Sequence, residues 1–560
     1  MGYEKTEHPM VYVNETWYFL SAVNDTPLKE IVVFCQKNYG SKAFKRFTED
    51  LVQVLSQMGN PPGDKVKLSL LTLDKKEPVT LTDVEMTREK REALKHSLRK
   101  RKKEAKEKPV FISAEKIEED LKVFEQRLEA QFAYLKTNNV DYKSAINNLR
   151  KKCGKGMTNH KFGMELQKII GLFIDGHAGV SSKILKKGFL PFTAEVTGSR
   201  VVAVKADRSG FLAEDYPYLN KIDDLDIQYW INIADDFRAV GSHHYRFRQG
   251  VRMLRNIQYM RSLIGLEEKK TIKVELISAD LTKTKTIEMK VSDKKVRSPK
   301  IKKPENGILE GNIGYLSIES FGSRSKAVPD INKWMPEFKD TKVVIIDVRD
   351  NGGGSRAGLL ELYPYLMDSS EKPSVANVCA YRLFNEFKED HLAARFAYRK
   401  DNEQWNDKER KAIEEFEKSF KPQWKPDYSE FSKWHYVLLS KREDDKKYFY
   451  NKPVIVLMDG GCFSATDIFL GALKGWKENI KLVGTPSGGG SARSVRFQLP
   501  NSKLQIRNAS MISYQRTGAL YDTNGIFPDF LIYPDPEYFL LKGNDNQLKD
   551  AIKIINNSIE

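Results

Sequence analysis

Asp459-Gly-Gly-Cys-Phe-Ser-Ala-Thr-Asp-Ile-Phe-Leu470 follows a run of apolar and β-branched residues, 453–458 (PVIVLM). It leads into Ile468, Phe469, Leu470 and Leu473, spaced to line one helix face. The stretch reads as a buried strand, a tight glycine turn and a helix whose first turn holds Ser464. Such a turn lifts a hydroxyl out of the core, beside the positive end of a helix dipole and among free backbone N–H groups, which suits a nucleophile. The plainer reading of Ser464 is a helix N-cap. A nucleophile also needs a base, an orienting acid and an oxyanion site, so the rest of the chain is read for these.

Upstream, 343–348 (VVIIDV) reads as a second buried strand and 313–318 (IGYLSI) as another. Continuous apolar runs alternating with helices predict an α/β sheet covered on both faces. The second strand runs into Asp347-Val-Arg-Asp-Asn-Gly-Gly-Gly354, where glycines turn the backbone sharply and bare its N–H groups. An amide from Gly352, Gly353 or Gly354, paired with that of Ala465, would make an oxyanion hole. The later 484–491 (GTPSGGGS) lacks the Gly-Lys-Ser/Thr ending of a phosphate loop. Residues 359–450 form a long insertion, rich in aromatics and charges, suited to a lid or substrate wall.

Two helices are predicted before the core. One spans 113–137 and opens on the start signal Ser113 and Glu115; the other spans 162–173 and ends at Ile174-Asp-Gly-His177. Gly176 reads as the helix stop, which presents His177 just beyond a rigid element. Further strands and helices form a faint repeat. Residues 17–23 read as a strand, 28–35 and 44–58 as helices and 66–86 as a hairpin; 218–231, a helix over 247–263 and a hairpin over 271–291 follow the same order. Both copies look like the latter part of a PDZ domain, the second completed by strands in 194–211, and such a domain adds a peptide as an edge strand or serves as a spacer.

A chain of 560 residues is too long for one core. With 40% hydrophobic and 11% aromatic residues it can fill several. Much of the net charge of +17 sits in 88–108 (REKREALKHSLRKRKKEAKEK), a mixed-charge block without aromatics that reads as a solvated linker and not as a nucleic-acid arm. Cys35, Cys153, Cys379 and Cys462 are too scattered for a zinc ribbon or a disulfide framework, and Cys462 reads as a small packing residue. His243-His244 has no carboxylate or cysteine at ligand spacing, so no metal is expected. No run of about 18 apolar residues predicts a membrane span. The compartment stays open: periplasmic or secreted if a signal peptide was removed.

Taken together, FIDGH, IIDVRDNGGG, DGGCFSATDIF, VGTPSGGG and YDTNGIFPD resemble the S41 family of serine peptidases, the tail-specific and tricorn-like proteases, over about 162–529. One group of that family uses a lysine about 25 residues after the serine. No lysine lies between Lys481 and Lys503, so the chain resembles the group with a histidine base. The resemblance implies Ser464 as nucleophile, His177 as base and Asp522 as the orienting acid, where the family usually has glutamate, one methylene longer. Gly352, Gly353 and Ala465 would supply the oxyanion hole, and Arg493 and Ser494 would meet an acidic or C-terminal carboxylate of the substrate. Asp529 reads as structural.

The implied fold is a ClpP/crotonase-like α/β core over 305–560, preceded by an α+β domain over 1–87 that is PDZ-like, the linker, a helical domain over 113–195 that carries the histidine, and a PDZ-like domain over 196–293. The implied activity is a serine endopeptidase without cofactors, acting on peptides or unfolded protein, with oligomerisation left open. Two other readings use the same fold: a non-catalytic protein binding peptides or apolar ligands, and an acyl-CoA enzyme without a serine nucleophile.

Overall fold

The computed structural model describes residues 9–14, 16–39, 43–74, 76–86, 109–181, 188–322, 325–388 and 390–559. The basic block 88–108 lies outside them. The chain divides into two compact units, residues 1–108 and 109–560. In the first, strands Met10–Val13, Thr16–Val23, Lys65–Thr72 and Pro78–Glu85 pair antiparallel in that order. Leu20, Val23 and Leu70 bury against Ile31 and Val54 of the helices. The helix expected over 44–58 is two, Ala43–Glu49 and Leu51–Gln57. They break at Asp50, whose backbone leaves helical geometry, as suits a residue that favours caps over helix interiors.

The second unit begins with helices Ala114–Gln131, Tyr142–Lys152 and Asn159–Gly171. Ser113 makes no side-chain cap bond. The first helix ends before the expected 137 because the Ala133 amide leaves it to pair with Ala509 O at 2.8 Å. Strands Thr193–Thr197, Arg200–Val204, Tyr218–Ile222, Thr271–Ile277 and Thr284–Lys290 follow as an antiparallel sheet in that order. The helix expected over 247–263 is again two, His243–Leu254 and Ile257–Leu263, because the Asn256 side chain caps the Tyr259 amide at 3.3 Å and starts a new helix.

The core sheet runs Gly307–Leu309, Ile313–Ser317, Val343–Asp347, Val454–Met458, Ile480–Gly484, Phe530–Leu531. All its pairings are parallel but the first. Alternate side chains of the same strands serve two cores. Val344, Ile346 and Val456 meet Ile331 and Ile468 on one face, while Ile345 and Leu457 meet Leu548 and Ala551 on the other. This is the α/β core covered on both faces that the apolar runs predict.

The insertion is neither loop nor loose lid. Its strands Ser374–Tyr381 and His435–Leu439 pair in one sheet with Met511–Tyr514, and Val378, Tyr436 and Ile512 share a core with Ile117, Phe124 and Phe132 of the helical segment. The segment that carries His177 is thereby fixed to the half of the chain that carries Ser464.

Beneath the glycine loop, the fully buried Asp347 accepts hydrogen bonds from Arg349 and from Tyr315 Oη at 2.8 Å, and its Lys303 ion pair is 3.1 Å long. Burial would raise its pKa, but the Arg349 guanidinium and Lys303 hold the carboxyl well below the usual range. Arg349→Met strands that charge, and chemical denaturation should record a loss of about 3–5 kcal/mol. A loss under about 1 kcal/mol would mean that the pair carries no structural weight.

Candidate active site

Ser464 lies at the mouth of the helix Ala465–Leu473, outside its first turn. Its backbone takes φ +64 and ψ −116, and its side chain makes no cap bond. A left-handed serine is uncommon and is held only where neighbours over-determine it. Here they do. Phe463 N donates to Asn351 O at 3.1 Å, Gly488 N to Cys462 O at 2.7 Å, and Cys462 Sγ to Val348 O at 3.1 Å. Cys462, read from the sequence as packing, also ties the turn to the end of a core strand.

His177 reaches the same place from the helical segment. Its Nε2 lies 3.0 Å from Ser464 Oγ, across 287 positions of sequence. Gly176 does not stop the helix as expected. The helix ends at Gly171, and the following turn is closed by Asp175, whose Oδ1 accepts from His177 N at 2.8 Å. Gly176 is required instead by close approach, since a Cβ there would meet the Phe463 ring at 3.0 Å. Phe463 lies against the His177 ring at 4.5 Å between centroids and stacks on Tyr245 at 4.9 Å. Tyr245 Oη donates to Gly176 O at 3.0 Å, and Arg507 donates to His177 O.

Two acids face the other side of the imidazole. One oxygen each of Asp175 and Asp522 and one ring nitrogen of His177 lie within 4.8 Å of one another. Both oxygens of Asp175 are engaged, by His177 N and by Ala509 N at 2.7 Å. Asp522 Oδ2 accepts from Tyr134 Oη at 2.6 Å and from Ser491 N at 3.2 Å. Asp522 Oδ1 and His177 Nδ1 are both buried and have no hydrogen-bond partner among the described residues, and His177 Nδ1 lies 3.9 Å from Asp175 Oδ1.

Burial raises the pKa of both acids, Asp522 to about 6 and Asp175, with the charge of Asp522 added, to about 7. Burial also lowers His177 to about 3, with Arg507 and Arg395 assisting. A neutral imidazole is the form that accepts a proton.

The glycine loop is narrower than its sequence suggests. Gly353 N donates to Asn351 Oδ1 at 2.9 Å, so that amide is already in use. The Asn351 side chain would compete with an oxyanion for it. No partner is found among the described residues for the amides of Gly352 and Ala465. A Cβ on Gly353 would lie 2.7 Å from Ala465 N, which shows how closely the loop approaches the serine turn. The second glycine run does similar work: a Cβ on Gly490 would meet Phe463 at 2.6 Å and His177 at 3.2 Å.

Arg493 is half-buried and donates through Nε to His391 Nδ1 at 3.3 Å; Ser494 opens a strand and pairs with Ala509. Lys474 is bound to Asp529, whose other oxygen accepts from Leu482 N at 2.8 Å, so Asp529 is structural as expected. His243 and His244 lie edge to face at 5.8 Å. Sequence reading gave no role to Tyr134, Tyr245, Asp175 or Arg395. Asp175 alone carried a signal, since it sits inside the quoted FIDGH motif.

Residues 312–532 match the family model described as Peptidase family S41. Among solved structures the chain resembles mature CPAF, with 17% identity and a TM-score of 0.58 over 79% of this chain and 98% of that one. CPAF complexed with lactacystin gives 16%, 0.57, 80% and 98%. A putative peptidase from Parabacteroides merdae gives 16%, 0.41, 78% and 96%. The two CPAF structures are likenesses of fold. No curated protein matches the chain. The expected family S41 peptidase is borne out: residues 312–532 form a domain of that family, and the chain is a serine peptidase.

Proposed function

We propose that this chain works as an endopeptidase through Ser464 and Asp522 of the family S41 domain and His177 of the helical segment. The observation that carries the reading is the 3.0 Å approach of His177 Nε2 to Ser464 Oγ, within hydrogen-bond reach for proton transfer. His177 takes the Ser464 proton as Oγ attacks a peptide carbonyl. The amides of Gly352 and Ala465 hold the oxyanion, each worth about 3 kcal/mol to the transition state. His177 then protonates the leaving amine, and water, activated by the same imidazole, releases the acyl group from Oγ. Asp522 is the orienting acid, because both oxygens of Asp175 already accept backbone amides, while Asp522 Oδ1 and His177 Nδ1 have no hydrogen-bond partner among the described residues. Tyr134 fixes the other oxygen.

The sheet and helices over 196–293 serve as a PDZ-like domain, and the helical segment over 113–195 serves to deliver the base. Tyr245, from the former, braces Phe463 and Gly176 beside that base. The substrate is a peptide or an unfolded protein. Incubation with a peptide library and mass analysis of the products should reveal cuts at internal bonds; removal of terminal residues alone would contradict an endopeptidase.

The pH profile follows from the orienting acid. The pKa of Asp522 is raised to about 6, and only its ionised form holds an imidazolium, so kcat/KM should fall as pH drops through about 6. A profile flat from about pH 7 to 4.5 would exclude Asp522 from that role.

A further inference from the structure

We propose that Phe463 is a positioning residue for the base: the face of its ring stabilises the imidazolium that His177 becomes when it takes the Ser464 proton. The proposal rests on His177 being that base.

Phe463 directly precedes Ser464, and its ring lies against the imidazole with 4.5 Å between centroids and 31° between planes. The negative face of an aromatic ring attracts a cation within about 6 Å of its centroid. The contact is held from several sides. A Cβ would meet this ring at 3.0 Å from Gly176, at 2.9 Å from Gly488 and at 2.6 Å from Gly490, so one ring keeps three positions to glycine. Tyr245 stacks on it at 4.9 Å and 10°, and Tyr245 is itself pinned through Oη to Gly176 O. Phe463 N donates to Asn351 O at 3.1 Å. Turning the ring away from His177 would displace the loops that carry the site.

An imidazolium in this place needs such support. Burial opposes its charge, and the guanidinium groups of Arg507 and Arg395 oppose it further. The carboxylates of Asp175 and Asp522 lie near one ring nitrogen, and both oxygens of Asp175 already accept backbone amides. Phe463 instead covers the plane of the ring. A neutral imidazole gains little from an aromatic face and an imidazolium gains much, so the contact strengthens as the proton moves. Interactions that are stronger in the transition state than in the ground state raise kcat and leave KM unchanged.

Fluorination tests the face of the ring at nearly constant shape. Full-length protein is made with Phe463 replaced by 4-fluoro-, 3,5-difluoro- or 3,4,5-trifluorophenylalanine, which drains the ring face stepwise. 4-Methylphenylalanine is the steric control, because its substituent is larger than fluorine and leaves the face electron-rich. On a cleaved library peptide kcat should fall about twofold with each fluorine, to about tenfold with three, at constant KM and melting temperature. The methyl ring should keep more activity than the trifluoro ring, and Phe463→Leu should lose at least as much as the latter. A second readout needs no turnover. In Ser464→Ala protein, NMR titration of the His177 ring should give an imidazolium-to-imidazole ratio about tenfold lower with the trifluoro ring than with Phe463 at the same pH. Asp175, Asp522, Arg507, Arg395, Tyr134 and Tyr245 surround the imidazole in both proteins, so the difference reports the ring alone. Equal kcat across the series, an unchanged ratio, or a loss that follows ring size overturns the proposal. A lowered ratio in a protein whose wild type cleaves no peptide would instead overturn the catalytic reading and leave the ring contact standing.

Discussion

Ser464→Ala should lower kcat by about 10⁵–10⁶-fold with the fold intact. The loss is large because the attacking atom is removed. The fold survives because the Ser464 side chain caps nothing: its hydrogen bond is to His177 Nε2, and the turn is held by Phe463 N and Cys462 Sγ. Ser464→Gly should be as inactive and also more resistant to denaturant, since glycine adopts φ +64 without strain. Progress curves on a cleaved library peptide, beside thermal melts, measure both effects. Activity within about tenfold of wild type in either variant would remove Ser464 from the chemistry.

His177→Ala should cost a similar factor, and the double variant with Ser464→Ala little more, because a nucleophile and its base act as one unit. Lys474→Met is a control for a lysine base, although Lys474 follows Ser464 by only about ten residues and not by the family's 25. Lys474 is committed to Asp529 at the far end of the helix Ala465–Leu473, so its removal should change kcat by less than about threefold. The reverse pattern, with Lys474 essential and His177 dispensable, would transfer the base to the lysine.

The catalytic core was legible because its strands are short, apolar and buried on both faces, and because Gly352 to Gly354, Ser464 and Gly488 to Gly490 each punctuate a strand end. The helix boundaries were less so. Asn256 breaks a helix through its side-chain cap and the backbone leaves helical geometry at Asp50, while the helix after Ser113 ends where Ala133 is captured by a strand nearly 380 residues later. Periodicity carries no trace of such a capture. Asp522 could be placed by motif, but its partnership with Tyr134 joins residues 388 positions apart and has no local signature. The same holds for Arg395, which lies in a region legible only as an aromatic, charged insertion and yet donates to the glycine loop. The bond from Gly353 N to the Asn351 side chain, two residues away, likewise has no signature in a run of three glycines.

The claim on which the rest depends is that His177 activates Ser464. The most direct measurement is peptide mapping by mass spectrometry after treatment with a serine-reactive phosphonate. The wild-type protein should carry one adduct, on Ser464, formed faster above about pH 6 than below it, and His177→Ala should form it at least about a hundredfold more slowly. An unmodified Ser464 in a wild-type protein that still cleaves peptides, or labelling at the same rate without His177, would contradict the account.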